Sequence, residues 1–263
     1  MDNETHIQQE LAFPAAAAFG NQNLAVKRLQ EWLTLSGFGT GIDSDFGPAT
    51  REALRRFQAK HGHQDTGILT EADWAVLIAP LRRACAAPSQ QGFLPRLRAL
   101  ARQHAGLRGR EVGGANAGPW VRLYMRGRDG ADQLWCAGFV SFLLRQAALN
   151  CTDPLAEPWR SYHQVSCDRL AAYGKTTQRF LSQAQAVQLL RQSPDALNGA
   201  VFLYRTAPGD WSHTGLVPSA TIDTGAVRFD TVEGNTNEGG SRNGIEVATR
   251  VRAGKTYDFV RLG

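Results

Sequence analysis

Apolar residues recur at helical spacing near the start of the chain and predict a small helical unit. One such pattern runs from Asn23 and stops at Gly37. Two further short helical patterns follow at residues 48–62 and 70–79, each opened by a residue that favours a helix start. Short helices with tight connections pack as a bundle, so we expect a three-helix bundle over residues 22–79.

The rest of the chain has a different pattern, in which helices come first and strands follow. Residues 1–21 are a polar lead, residues 80–95 are predicted to be a linker, and residues 96–263 form a second domain. Its predicted helices lie at 95–106, 118–126, 136–149, 163–173 and 183–192. Five runs rich in β-branched and aromatic residues then predict strands, namely AVFLYR, HTGLV, AVRFDTV, GIEVATRV and YDFVRL. This order favours an α+β fold, with helices packed on an antiparallel sheet of about five strands.

The candidate chemistry of the second domain centres on Cys136. The apolar residues after it follow a helical face, so Cys136 falls at a helix N-terminus, where unpaired N–H groups favour a thiolate. A reactive thiolate needs an imidazole, and the imidazole needs a carboxylate or amide that orients it. His213 begins one predicted strand, and Glu233 and Asn235 end the next, so these side chains can converge on Cys136.

The connection between the first two helices carries the sequence Ile42-Asp43-Ser44-Asp45-Phe46-Gly47-Pro48. With Leu29-Gln30, Ala53, Phe57-Gln58, Gly62 and Gly67, it resembles the PGBD-type peptidoglycan-binding module over residues 22–79. The resemblance implies non-covalent binding of cell-wall glycopeptide, with Asp43 and Phe46 as candidate substrate-binding residues.

Three segments of the second domain resemble the CHAP group of amidohydrolases and peptidases, which are papain-like and related to the NlpC enzymes. They are Trp135-Cys136-Ala137-x-Phe139-Val140-Ser141, Ser212-His213-Thr214-Gly215-Leu216-Val217 and Thr231-Val232-Glu233-Gly234-Asn235-Thr236-Asn237. The resemblance covers residues 96–263, with 150–198 poorly matched. It implies Cys136 as nucleophile, His213 as general base and Glu233 as the orienting residue, while Asn235 either helps to orient the imidazole or binds substrate. Its candidate substrate-binding residues are Trp135, Glu111 and Asn116. Whether Glu233 or Asn235 is the third catalytic member stays open at this point.

Together the two resemblances imply a peptidoglycan hydrolase that cleaves an amide of the stem peptide, either the muramoyl–L-alanine amide or a peptide bond. The alternative is a non-catalytic wall-binding adaptor whose papain-like domain is inactive. A muramidase would need a second acid beside Glu111, and the sequence offers no obvious partner. The S-H-G-C type motif of an L,D-transpeptidase is absent.

Metal-ligand patterns are weak, and we expect no metal or other cofactor. Only Asp129 and Asp132 precede the nucleophile, which is few for the oxygen ligands that calcium needs. Cys151, His163 and Cys167 lack the spacing of a zinc site.

Composition limits the function only mildly. The 263 residues carry 29 Lys and Arg against 24 Asp and Glu, a net charge of +5. Residues 1–90 hold 8 basic and 10 acidic residues, so the surplus lies in residues 91–263, with 21 basic and 14 acidic. The expected partner is bacterial peptidoglycan, without nucleic acid binding or membrane insertion.

The N-terminus lacks the basic start and apolar run of a signal peptide, so we expect synthesis in the cytoplasm. Action on the periplasm or cell wall of a target cell would then follow injection or lysis, as for an antibacterial effector or a phage endolysin. An injected effector would need a cognate immunity protein and a component of a secretion machine as partners.

Overall fold

The computed structural model describes residues 3–223, 225–237 and 244–263, which form two compact units. Unit 1 comprises the chain up to Cys85 together with Glu111–Ala131. Unit 2 comprises Ala86–Arg110 and Asp132–Gly263. The segment 111–131, which we placed in the second domain from sequence, therefore packs with the N-terminal part of the chain. The last three residues of the EGNTNEGG stretch, 238–240, lie outside the described residues.

Unit 1 is helical, and its described part contains more helices than the three expected. The helices are α1 (Asn3–Leu11), α2 (Leu24–Leu35), α3 (Pro48–Lys60), α4 (Glu71–Leu77), α5 (Ala79–Ala84) and α7 (Pro119–Tyr124). The three predicted helices correspond to α2, α3 and α4. The polar lead contains α1, and the expected linker begins with α5.

Local signals explain where α2 and α4 begin. The Asn23 side chain accepts a hydrogen bond from the Val26 N–H at 3.0 Å, which caps α2. At α4, Thr70 and Asp73 form a reciprocal capping box. The two starts predicted from sequence are therefore fixed by side chains that satisfy free N–H groups.

A buried arginine holds the segment 111–131 inside unit 1. Arg122 of α7 donates through Nε to Glu10 at 2.6 Å and through Nη2 to Glu31 at 2.6 Å. Its Nη1 donates to Asp129 at 2.8 Å. Burial alone would lower the pKa of Arg122, but Glu31 and Glu10 raise it, so the guanidinium stays charged. One cation thus joins α1, α2 and α7.

Unit 2 contains the antiparallel sheet, and the prediction of an α+β fold is confirmed. The strands are β1 (Phe180–Leu181), β2 (Val201–Ala207), β3 (Asp210–Asp223), β4 (Ala226–Thr236), β5 (Glu246–Arg252) and β6 (Tyr257–Val260). Their spatial order is β1-β6-β2-β3-β4-β5. Over the residues that the structure describes, the sheet has six strands instead of about five, because the two-residue β1 pairs with β6.

Helices pack on the central strands of this sheet. Unit 2 contains α6 (Phe93–Leu107), α8 (Cys136–Ala148), α9 (Cys167–Thr176), α10 (Gln183–Gln192) and a 3-10 helix (Pro154–Trp159). Helix α8 packs on β3 and β4, and α9 packs on β3 and β6. Residues of α10 join Phe202, Phe229 and Phe259 in a buried apolar cluster. The strands β3 and β4 thus pack against α8, the helix that begins at Cys136.

Candidate active site

Cys136 is the first residue of α8, as the apolar pattern predicted. Trp135 precedes it, and its carbonyl accepts the N–H of Phe139 at 2.8 Å, closing the first helical turn. The N–H groups of this turn lack acceptors within the helix, and they favour negative charge on the nearby sulfur. The Cys136 residue is 5% exposed, so its thiol lies in a largely desolvated position.

Two glycines allow the elements around the site to pack closely. A Cβ on Gly234 of β4 would lie 2.6 Å from Cβ of Phe139 and 2.8 Å from the Trp135 ring. A Cβ on Gly215 of β3 would lie 2.8 Å from Cγ of Glu233. The absence of a side chain at these two positions lets α8 rest directly on β4 and lets the Glu233 side chain pass across β3.

His213 and Glu233 form a buried pair on adjacent antiparallel strands. His213 lies on β3 and Glu233 on β4, and His213 Nε2 is 2.8 Å from Glu233 Oε2. Both side chains are almost completely buried. Because Nε2 is engaged by the carboxylate, the tautomer and ring orientation of His213 are fixed, leaving Nδ1 as the nitrogen available to Cys136.

Arg252 and Thr231 complete the surroundings of Glu233. Arg252 of β5 donates to both carboxylate oxygens, with Nε at 2.7 Å from Oε1. The hydroxyl of Thr231 donates to Oε1 as well. Sequence reasoning missed Arg252, because only the strand register distinguishes it from the nearby Arg250. A fork of this kind holds a carboxylate in one orientation.

Cys167 is the second residue that sequence reasoning missed. It is the first residue of α9, which is capped by Ser166, and its Sγ lies 3.9 Å from Sγ of Cys136. Two helices thus begin at two cysteines whose sulfurs are in contact. A helix was expected over 163–173, so the signal was a second cysteine near a predicted helix start.

The pKa shifts describe an ion pair between Cys136 and His213. The hydrogen bond with Cys167 lowers the pKa of Cys136 most, and His213 lowers it further, against burial. Burial alone would lower the pKa of His213, but Cys136 and Glu233 raise it to about 9. Burial would raise the pKa of Glu233, but His213 and Arg252 hold it at about 2. These directions favour a thiolate beside an imidazolium.

Hydrogen-bond geometry is looser on the Cys136 side of the imidazole. Within the described residues, His213 Nδ1 makes no hydrogen bond of normal geometry, although the ring interacts with Cys136 electrostatically. Catalytic hydrogen bonds of this type often tighten only when substrate binds. The absence of a well-formed hydrogen bond at Nδ1 therefore agrees with a proton donor whose acceptor is the bound substrate.

Asn235, the other candidate for the orienting residue, is placed differently from Glu233. Its backbone is left-handed, with φ of 52°, and its side chain is buried. In the part of the chain that the structure describes, neither side-chain atom of Asn235 has a hydrogen-bond partner. The residue that contacts the imidazole is Glu233.

Most of the predicted substrate-binding residues are buried and make contacts within their own unit. Phe46 is 1% exposed, so its ring belongs to the interior of unit 1, and its role in substrate binding stays a prediction. Trp135 is fully buried as well, and its ring packs over Gly234. Asn116 is buried too and donates to the Ala131 carbonyl at 2.9 Å, which fixes a loop instead of exposing an amide.

Asp43 and Glu111 also make local contacts, both within unit 1. Asp43 Oδ1 accepts hydrogen bonds from Gln30 at 2.7 Å and from the Asp45 N–H at 2.9 Å. These two bonds lower its pKa, the Asp45 one more. Glu111 accepts the Asn116 N–H at 2.8 Å. Asp43 is exposed, so its second oxygen remains on the surface of the turn.

Metal-ligating side chains do not gather in threes anywhere among residues 3–223, 225–237 and 244–263. Asp129, a candidate calcium ligand, accepts hydrogen bonds from Arg122 and from the Gly118 N–H. Across the same residues, every helix is too short or too polar to span a bilayer.

Comparison with known proteins finds a family match for one part of the chain. Residues 22–77 match the family described as "Putative peptidoglycan binding domain". No curated protein and no solved structure matches the chain. The matched region runs from just before α2 to the end of α4, and it supports a peptidoglycan-binding module, association with the cell wall and peptidoglycan as a partner.

Proposed function

We propose that the protein is a cysteine-dependent peptidoglycan hydrolase that acts on the cell wall of a bacterium. The observation that carries the proposal is the buried His213–Glu233 pair in unit 2, whose imidazole interacts electrostatically with Cys136 at the start of α8. A chain with a peptidoglycan-binding module at residues 22–77 brings such a site to a substrate rich in amides. Its targets would be the muramoyl–L-alanine amide or a peptide bond of the stem.

The order of the parts in unit 2 is the basis for proposing a papain-like domain of the CHAP type. The nucleophile opens a helix that packs on an antiparallel sheet, and the base and its orienting carboxylate come from two neighbouring strands. The same roles, a thiolate at a helix start and an imidazole fixed by a third polar group, define this class of cysteine hydrolases.

The proposed reaction begins with attack of the Cys136 thiolate on the amide carbonyl carbon. The carbonyl electrons move to oxygen, and N–H groups at the start of α8 stabilise the oxyanion. His213 then gives its Nδ1 proton to the leaving amine as the C–N bond breaks. Water, deprotonated by His213, hydrolyses the resulting thioester, which releases the acid and restores the thiolate.

Digestion of purified sacculi tests this proposal. Wild-type protein is expected to release soluble muropeptides, and mass spectrometry of the newly freed amine identifies the bond that is cut. Cys136→Ala should lose activity by about 10³-fold or more, because it removes the nucleophile, while still pelleting with sacculi. Cys85→Ser is the matched control, since Cys85 lies in unit 1, and it should digest normally.

Two outcomes contradict the assignment in different ways. Equal release by Cys136→Ala and wild type would show that Cys136 is not the nucleophile. Binding of wild-type protein to sacculi without any release of fragments would favour the non-catalytic adaptor.

A further inference from the structure

Two cysteines, and not one, meet at the base of the candidate active site. The sulfurs of Cys136 and Cys167 are 3.9 Å apart, and both residues are buried, at 5% and 7% exposure. All four cysteines of the chain are outside any disulfide. A disulfide bond is about 2.0 Å long, so the two sulfurs need to approach by only about 2 Å.

We propose that Cys136 and Cys167 form a reversible disulfide, which makes the pair a redox modification site built around the nucleophile. Each cysteine is the first residue of a helix, α8 or α9, so neither lies in the middle of a helix. Rotation of the two side chains can therefore supply the approach without displacing the body of either helix.

The environment of the pair favours both the oxidation and its reversal. N–H groups at the two helix starts stabilise negative charge on either sulfur, and His213 adds a positive charge beside Cys136. Thiolates are the species that attack oxidants, so Cys136 is the first to react. Stabilisation of the reduced form also makes the disulfide a good electron acceptor, which a dithiol can reopen.

With a peroxide as the oxidant, the step balances in two stages. The Cys136 thiolate attacks one peroxide oxygen, the O–O bond breaks, and a sulfenic acid and hydroxide form. The Cys167 sulfur then attacks the sulfenic sulfur, the S–O bond breaks, and water leaves after taking up the thiol proton. One thiolate and one thiol are oxidised to a disulfide, and one peroxide is reduced to one hydroxide and one water. A small oxidant suits a pair with so little exposed surface.

Formation of this disulfide would switch off hydrolysis, because the sulfur of Cys136 would no longer be nucleophilic. That consequence rests on the proposed function, whereas disulfide formation does not. Without Cys167, a sulfenic acid on Cys136 has no neighbouring thiol to resolve it and proceeds to the irreversible sulfinic acid. The disulfide would thus inhibit hydrolysis and also protect Cys136 from irreversible oxidation.

The test treats full-length protein with hydrogen peroxide, alkylates remaining thiols after denaturation and maps peptides by mass spectrometry. The expected product is a cross-linked pair of peptides containing Cys136 and Cys167, lighter by about 2 Da than the two thiol peptides and separated by dithiothreitol. Cys85→Ser is the matched control and should give the same cross-link. Cys167→Ser should accumulate sulfinic acid on Cys136 that dithiothreitol does not reverse.

The inference is overturned if wild-type Cys136 is oxidised to sulfinic acid while Cys167 is recovered as an alkylated thiol. It is also overturned if wild type and Cys167→Ser form dithiothreitol-resistant sulfinic acid on Cys136 at the same rate. The wild-type peptide map decides the matter even if Cys167→Ser fails to fold. A cross-link in a protein that digests no sacculi would sink the proposed function alone. Digestion that depends on Cys136, without a cross-link, would sink this inference alone.

Discussion

At the scale of single residues, Glu233 is the most constrained side chain of the site. It accepts hydrogen bonds from Thr231 and Arg252 and pairs with His213, all in a buried setting. Arg252 balances the carboxylate charge, while the fork of its guanidinium prevents the carboxylate from rotating. Glu233 can therefore orient the imidazole without competing for the proton that His213 must donate.

These contacts make two opposite contributions to stability as pH changes. The pKa of His213 rises from 6.5 to about 9 in the folded protein, so its contribution is complete below pH 6.5 and is lost as pH rises through about 9. The pKa of Glu233 falls from 4.5 to about 2, so its contribution is complete above pH 4.5 and is lost as pH falls through about 2. Both are complete between pH 4.5 and 6.5.

The alkaline limb of the pH–rate profile gives a prediction. Hydrolysis should decline above a pH of about 9, because His213 loses the proton that the leaving amine requires. Glu233→Gln removes the charge that supports the imidazolium, so this limb should move to lower pH by about 1 to 3 units. Initial rates of muropeptide release measured across pH would show the shift.

Asp230→Asn is the matched control for this measurement. Asp230 lies on the same strand, β4, but it is exposed and pairs with Ser219. Its substitution should leave the limb in place. An alkaline limb that stays unchanged in Glu233→Gln would contradict the role given to Glu233.

Sequence alone predicted Cys136, His213, Glu233 and Asn235 as candidate catalytic residues, because each is marked locally, by a helix start or a strand end beside turn residues. Arg252 and Cys167 escaped because their roles arise from pairing and packing between distant segments. The choice between Glu233 and Asn235 stayed open for the same reason. The two residues lie two positions apart on β4, and only the packing of the strands shows that Glu233 is the one that reaches the imidazole.

At the scale of elements, the contact between α8 and β4 sets the position of the nucleophile. Gly234 is the point of closest approach, because a Cβ there would overlap Phe139 and Trp135. Trp135 immediately precedes Cys136. Any change that lifts the first turn of α8 from the strand will therefore move the sulfur relative to His213.

Gly234→Ala should destabilise the protein by about 1–3 kcal/mol, because the added methyl group overpacks this contact. It should also reduce hydrolysis through displacement of Cys136. Urea unfolding and sacculus digestion measure the two effects. Gly106→Ala in α6 is the matched control, since nothing lies within 4 Å of the new Cβ. That control should be neutral or stabilising by about 0.5–1 kcal/mol. Equal stability of the two variants would refute the close contact.

Elements with strong local signals were predicted well, and those that depend on tertiary contacts were missed. Helices α2, α3 and α4 carry periodic apolar residues and start signals, and all three are present. Helix α1 has a polar sequence and is held by distant partners, including a bond from His6 to the Leu123 carbonyl. The two-residue β1 is too short to give an alternating pattern.

At the scale of the whole molecule, the buried cluster around Arg122 decides which parts of the chain fold together. Arg122→Met should destabilise unit 1 by about 3–5 kcal/mol, because it removes the closest cation from the buried carboxylates of Glu10 and Glu31. The longer pairs, Arg28–Glu10 at 3.6 Å and Lys27–Glu31 at 3.9 Å, would remain. Chemical denaturation, followed by fluorescence of the buried tryptophans, measures the loss.

Arg55→Met provides the comparison, since Arg55 pairs with Asp65 at an exposed position. This variant should change stability by no more than about 1 kcal/mol. If Arg122→Met proved as mild as Arg55→Met, the cluster would not be what holds the segment 111–131 in unit 1.

The path of the chain has a consequence for engineering and for evolution by recombination. The polypeptide leaves unit 1 after Cys85, returns for Glu111–Ala131 and leaves again, so each unit is built from two stretches of sequence. A single crossover between genes cannot exchange the wall-binding half for another, because the incoming half would lack its own version of the returning stretch. A functional hybrid would need matched replacements of both stretches of a unit. The gene segments that encode the two units are therefore expected to be inherited together.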